Sequence, residues 1–201
     1  MDYPASMKTT HLLYLHGFRS SPQSLKARLM AARVQALHPG VVWCCPQLPP
    51  SPAAALALIR TLSADWPRTS MAVVGSSLGG FYATRLALET GARLVLLNPA
   101  VHPARDLAKY IGEQTSWQNP AESFHFRPEY VDELRALEDE RAPAPERTLA
   151  VIARGDEVLD WREMVARYPG AHLRLRDGGD HALSDFESAH LDTVLDFLRL
   201  D

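Results

Sequence analysis

The sequence predicts an α/β domain built on a mainly parallel sheet of about six strands, flanked by helices. Three features point there. Short apolar runs recur at His11–Leu15, Val41–Cys45, Met71–Gly75, Leu94–Leu97, Thr148–Ala153 and Ala171–Leu175. Longer amphipathic stretches with helix start and stop signals lie between them. Most of the apolar runs are unbroken rather than alternating, the pattern of strands covered on both faces. Strand and helix in alternation select a parallel sheet over a sandwich or bundle.

Each helix carries its own signal. The first is expected over Pro22–Leu37, with Ser21 as N-cap and Pro22 at the first helical position. Pro52–Trp66 repeats that signal behind Ser51. Leu78–Thr90 stops at Gly91, and Trp161–Tyr168 stops before Pro169-Gly170. The last helix is expected over about 185–200, where Ser184 and Glu187 have the spacing of a capping box. One connection is long. Residues 98–147 separate the fourth and fifth strands and hold helix signals at Ala104–Ile111 and Pro128–Asp139. A polar, aromatic stretch, Gly112–Phe126, lies between those two. An excursion of this length suits a lid or pocket wall, or a helical pair that only covers the sheet.

The whole chain, 1–201, is expected to form a single domain. A chain this long buries about 70% of its unfolded surface and needs no disulfide or metal staple. Hydrophobic residues are 46% and charged residues 22%, which excludes a disordered tail, a collagen and a coiled coil. Lys and Arg number 21 against 24 Asp and Glu, a formal net charge of −3. That balance offers phosphate backbones no attractive field, so no nucleic-acid partner is expected. Cys44 and Cys45 are adjacent. A bridge between neighbours is strained, so both are expected as reduced thiols of a cytoplasmic protein. They also lack the two-residue spacing of a redox motif. Met1–Thr10 is polar and lacks a signal-peptide core, and no apolar run approaches the roughly 18 residues of a membrane helix. No membrane association is expected. Met7, just ahead of the first strand, is an alternative start.

Gly75-Ser76-Ser77-Leu78-Gly79 is a G-x-S-x-G directly after a strand and directly before a helix. A nucleophile on such a turn takes a strained backbone, and the flanking glycines remove the side chains that would clash. Centring the motif on Ser76 would need glycine at Val74 and Leu78, so Ser77 is the expected nucleophile. The bland reading is a glycine-rich turn with a capping serine. Acyl transfer also needs donors where the carbonyl oxygen becomes negative. The Leu78 N–H, after the nucleophile, is one. The Phe18 N–H, in the loop after the first strand, is the other, with Gly17 allowing close backbone approach. His16 is expected to hold that loop by hydrogen bonds.

Among eight histidines, His181 is the expected general base. It lies in Asp177-Gly178-Gly179-Asp180-His181, a loop opening at the carboxyl end of the sheet, as Ser77 does. His190 falls within a helix and His172 within a strand. The base needs an acid to fix its tautomer. Arg154-Gly155-Asp156-Glu157-Val158 follows the fifth strand and makes Asp156 the favoured acid, with Glu157 and Asp160 as rivals. Asp160 directly precedes a helix and is better placed as its N-cap. Tyr110, Trp117, Phe124 and Phe126 are candidates to wall an acyl pocket.

The chain order Ser, Asp, His is that of α/β-hydrolases, and the sequence resembles the small bacterial esterases of the YqiA type within that fold. The likeness rests on Leu13-Tyr14-Leu15-His16-Gly17-Phe18 with Ser20-Ser21-Pro22, and on Gly75–Gly80 followed by Phe81-Tyr82-Ala83. Asn98-Pro99-Ala100, Arg154–Asp160 and Gly178-Gly179-Asp180-His181-Ala182 complete it, while Gln114–Phe126 falls outside it. The resemblance implies hydrolysis of carboxylic esters, or of acyl thioesters, with no metal or organic cofactor and with Ser77, Asp156 and His181 as the triad. The expected activity is therefore a serine esterase for small-molecule esters of short to medium acyl chains, working through an acyl-enzyme. An acyl thioesterase is the alternative. A C–C hydrolase or acyltransferase would use the same parts. A non-catalytic binding protein on this fold would ordinarily lack one triad member.

Overall fold

The computed structural model describes residues 8–201, so the alternative start at Met7 lies outside the described residues. Six parallel strands form the main sheet: β1 (His11–Leu15), β2 (Val42–Cys44), β3 (Met71–Ser76), β4 (Arg93–Leu97), β7 (Thr148–Ala153) and β8 (His172–Arg176). Their order in space is β2-β1-β3-β4-β7-β8. Each inner strand splits its side chains between two faces. Leu13, Leu15, Val73, Leu96 and Ile152 face a layer made by α2 (Pro52–Ser63), α3 (Leu78–Thr90), α4 (Pro103–Leu107), α5 (Pro128–Leu137) and α6 (Trp161–Arg167). Leu12, Tyr14, Val74, Leu97 and Val151 face α1 (Leu25–Leu37), α7 (Phe186–Ala189) and α8 (Leu191–Leu198). Burying such a side chain contributes about 1.5–3 kcal/mol, which favours unbroken apolar runs in strands covered twice.

The edges depart from the expectation. All five residues of β8 are exposed, and Arg174 and Arg176 alternate with Leu173 and Leu175. It is an edge strand with charges that discourage further pairing. The first helix starts at Leu25, not Pro22. The Ser21 hydroxyl accepts from the Gln23 N–H at 3.1 Å, closing a local turn instead of capping a helix. Ser51 does cap α2, accepting from the Ala54 N–H at 3.1 Å. Gly91 ends α3 with φ of 73°.

The capping box at Ser184 does not form. Its hydroxyl donates to the Asp180 carboxylate at 2.6 Å, tying it back to the preceding loop. The expected last helix is also broken at His190 into α7 and α8.

The long connection holds α4, a turn of 3₁₀ helix at Ala108–Tyr110, α5 and, between them, a hairpin not expected from the sequence. Its strands are β5 (Gly112–Thr115) and β6 (Ser123–Phe126), paired antiparallel. Glu133 on α5 accepts from the Ser51 hydroxyl at 2.7 Å and the Ala53 N–H at 2.9 Å, docking α5 on the start of α2.

The strand order places one feature of consequence. The chain leaves β1 for β2 on one side and then crosses to β3 on the other. The loops after β1 and β3 therefore diverge, opening the switch-point crevice where open parallel sheets bind ligands.

Candidate active site

Ser77 stands at the carboxyl end of β3, on that crevice. Its backbone is at φ 54° and ψ −122°, a region that costs a non-glycine residue about 1–3 kcal/mol. The surroundings hold it there. The Ser77 N–H donates to the Leu97 carbonyl at 3.0 Å. The Ser77 carbonyl accepts from the N–H groups of Gly80 at 2.8 Å and Ala100 at 3.0 Å. A Cβ on Gly75 would stand 2.3 Å from the Gly79 carbonyl oxygen, and one on Gly79 would stand 2.0 Å from that of Leu15. Both glycines are required because backbone packs against backbone here.

Ser77 Oγ lies 3.0 Å from His181 Nε2, and His181 Nδ1 lies 2.8 Å from Asp156 Oδ2. The Asp156 side chain is fully buried, and its other oxygen accepts from the N–H groups of Val158 and Leu159, each at 2.8 Å. A carboxylate only accepts, so the ring proton sits on Nδ1 and Nε2 is free to accept from the serine hydroxyl. The rivals for the acid lie elsewhere. Asp160 caps α6 through the Arg162 N–H at 2.9 Å. Glu157 accepts from the His181 backbone N–H at 2.9 Å, so it fixes the loop rather than the ring. Lys26, from α1, donates to the Ala182 carbonyl on the other side of that loop. Burial lowers the Lys26 ammonium to about 8, against the opposing pull of Asp180 and Asp156.

Asn98 is a buried hub to which the sequence reading assigned no role. Its Oδ1 accepts from the Ala153 N–H at 2.8 Å, at the end of the strand leading to Asp156. Its Nδ2 donates to the carbonyls of Asp180 at 3.0 Å and His181 at 3.1 Å. One amide thus joins the loops of Asp156 and His181, two residues before the Ala100 N–H that holds Ser77. Its φ is 43°, a left-handed region that asparagine tolerates better than most residues.

His16 is buried, and burial keeps it below its ordinary value and neutral. Its Nε2 accepts from the Leu48 N–H at 3.1 Å, so Nδ1 carries the proton and donates to the Gly17 carbonyl at 3.0 Å. In a trans peptide the carbonyl and the following N–H point opposite ways. Anchoring the Gly17 carbonyl therefore sets the direction of the Phe18 N–H. A Cβ on Gly17 would lie 3.1 Å from Ser77 Cβ, so this peptide passes directly beside the serine.

Two cavities meet at Phe18, Arg19 and Leu78. The smaller, about 120 Å³, is lined by Ser77 and His181, with Tyr110, Trp117 and Leu159 on its wall. The larger, about 590 Å³, extends from Gly17 to Phe124, Leu48 and Leu58 and reaches neither Ser77 nor His181. The four aromatic candidates thus separate. Tyr110 and Trp117 line the small cavity and Phe124 the large one. Phe126 lines neither; it is buried in the core against Phe18 and Tyr130. Arg19 links this region to the hairpin. It donates through Nε to the Thr115 carbonyl at 2.7 Å, and its guanidinium lies 4.0 Å from the centre of the Trp117 ring.

Cys44 and Cys45 are free thiols on opposite faces of the sheet. Burial raises both, Cys45 to about 12, leaving no reactive thiolate near neutrality. Among the described residues, no helix is long and apolar enough to cross a membrane.

Sheet order, the strand–serine–helix turn and the flanking helices define the α/β-hydrolase fold. Solved structures agree. A protein of Agrobacterium vitis S4 superposes with a TM-score of 0.75 at 18% identity, covering 96% of this chain and 91% of that one. Est1E from Butyrivibrio proteoclasticus, with ferulic acid bound, gives 0.65 at 16% identity over 98% and 90%. The chain belongs to UPF0227, an uncharacterised protein family whose profile matches residues 11–199. A UPF0227 protein of Yersinia enterocolitica is 29% identical over 131 residues, 64% of each chain. One of Serratia proteamaculans is 31% identical over 88 residues, 44% of this chain and 42% of its own length. The match thus spans less than two thirds of either relative.

Proposed function

We propose that this chain is a serine esterase that hydrolyses small-molecule carboxylic esters through an acyl-enzyme. The observation that carries the reading is the continuous hydrogen-bonded series Ser77–His181–Asp156 in the switch-point crevice. His181 Nε2 takes the Ser77 proton as Oγ attacks the ester carbonyl. Asp156 holds the Nδ1–H tautomer and stabilises the imidazolium. The Phe18 and Leu78 N–H groups receive the negative oxygen. His181 then gives its proton to the departing alcohol. Water, deprotonated by the same ring, releases the acid and restores the serine. Residues 98–147 act as a wall of the substrate site through Tyr110, Trp117 and Phe124. That solved neighbours of this fold include esterases supports an ester as substrate.

Ser77→Ala should abolish turnover of simple esters and covalent labelling by a fluorophosphonate, with the melting temperature retained. Ser76→Ala should be mild in both assays. A dead Ser76 variant beside an active Ser77 variant would overturn the assignment.

A further inference from the structure

We infer that the bulky half of the substrate is its acyl group, seated in the 590 Å³ cavity beside the oxyanion loop, and that the leaving alcohol is small. The inference rests on the serine esterase reading above. In the tetrahedral intermediate the carbon carries four groups. One is Ser77 Oγ, and the negative oxygen points to the Phe18 and Leu78 amides. The leaving oxygen must lie toward His181 Nε2, which protonates it. The acyl substituent takes the remaining direction, away from His181.

The two cavities map onto these directions. The one holding Ser77 and His181 is about 120 Å³, or about four water volumes, and so fits a small alcohol. The one across Phe18 and Leu78 is about 590 Å³, or about twenty water volumes, and His181 is not among the residues that line it. Its apolar lining comes from Leu48, Pro49, Pro50, Leu58, Tyr82 and Phe124, with Arg19, Gln47 and Glu122 also on the wall. Gly17 lines it and passes beside the serine, where a Cβ would stand 3.6 Å from Ser77 Oγ. Glycine there leaves the passage between serine and cavity open. The substrate class is thus an ester of a medium-length or ring-bearing carboxylic acid with a small alcohol. Its acyl pocket is built from the loop after β2 and from α2 as much as from the long insertion.

Methyl octanoate and heptyl acetate contain the same atoms with the ester reversed, so they test the inference directly. Titrimetric kcat/KM should favour methyl octanoate by at least about tenfold. Leu58→Trp fills the large cavity. It should lower kcat/KM for methyl octanoate at least about tenfold more than for methyl acetate. Leu58→Ala, which leaves room rather than filling it, should move the optimum toward longer acyl chains and decides the matter if the tryptophan variant does not fold. Equal or better turnover of heptyl acetate, or a Leu58 variant that changes all substrates alike, would overturn the inference while leaving the esterase intact. Absence of any Ser77-dependent ester turnover would overturn the esterase reading itself.

Discussion

At the scale of single residues, Asp156 and Asp160 show how four positions separate two jobs. Asp156 has one oxygen on His181 and the other on two loop N–H groups. Asp160 spends its carboxylate on the first turn of α6. Asp156→Asn would present an amide to Nδ1 and favour the wrong tautomer. Turnover should fall by about 10⁴ with little change in melting temperature. Asp160→Ala should lose about 1 kcal/mol of stability and keep its turnover. The reverse pattern in paired kinetic and thermal measurements would exchange the roles. His16 makes a second prediction. Its folded value lies below the usual 6.5, so as pH falls below 6.5 the unfolded chain takes up a proton that the folded chain refuses. Stability present above 6.5 is lost as pH drops toward the folded value. His190 has the same sign, also through burial, and is retained in a His16→Gln variant. Urea unfolding at pH 7 and pH 5 should therefore show a smaller acid loss for that variant; equal losses would count against a neutral, buried His16.

Among elements, the hairpin β5–β6 is clasped by a residue distant in sequence. Arg19, at φ 59°, grips Thr115 and stacks on Trp117, while its carbonyl accepts from the Trp117 N–H at 2.8 Å. Trp117 is otherwise 64% exposed. Arg19→Lys removes the planar fork that makes two bonds and the stack. It should speed proteolysis within residues 112–126 and raise KM, with the global melting temperature nearly unchanged. Unaltered proteolysis would show that the hairpin holds its place without the clasp. The two cavities give different expectations for their aromatic walls. Trp117→Ala should change preference among alcohols, and Phe124→Ala among acyl chains, both read by kcat/KM across a matched ester panel. The hairpin itself was partly visible: Ser123-Phe124-His125-Phe126 alternates with a period of two. It is four residues long, too short to stand out between two helix signals. The Ser184–Glu187 spacing failed for the opposite reason. A local pattern promised a cap, and Asp180 offered the same hydroxyl a stronger acceptor.

Over the whole molecule, α1 and the His181 loop are joined by the half-buried Lys26, and this has a signature in folding. With a folded value of about 8 against 10.5 unfolded, the unfolded chain binds more protons between those limits, so this group makes stability rise with pH there. Cys45 acts oppositely above 9, because burial keeps its thiol protonated only in the folded chain. Comparison with Lys26→Met isolates the lysine. The wild-type unfolding free energy, relative to the variant, should increase from pH 7.5 to pH 9.5; parallel behaviour would remove the account of a partly desolvated ammonium.

The strands, the α/β class and the positions of Ser77, Asp156 and His181 were open to reading because each rests on a local pattern. Apolar runs mark buried strands, and glycines mark where backbone meets backbone. A loop beginning at the carboxyl end of a strand marks the rim where side chains converge. What only the tertiary structure decided is how those loops are tied together and where substrate can go. Asn98 joins two loops that are 55 and 83 residues away in sequence, a relation that no local pattern encodes. Likewise, Phe126 belongs to the core while Phe124 lines a cavity, though both are phenylalanines on one short strand. Local sequence sets which backbone conformations are cheap. Cavities and long-range hydrogen bonds arise from the gaps and polar groups left when distant elements close on one another.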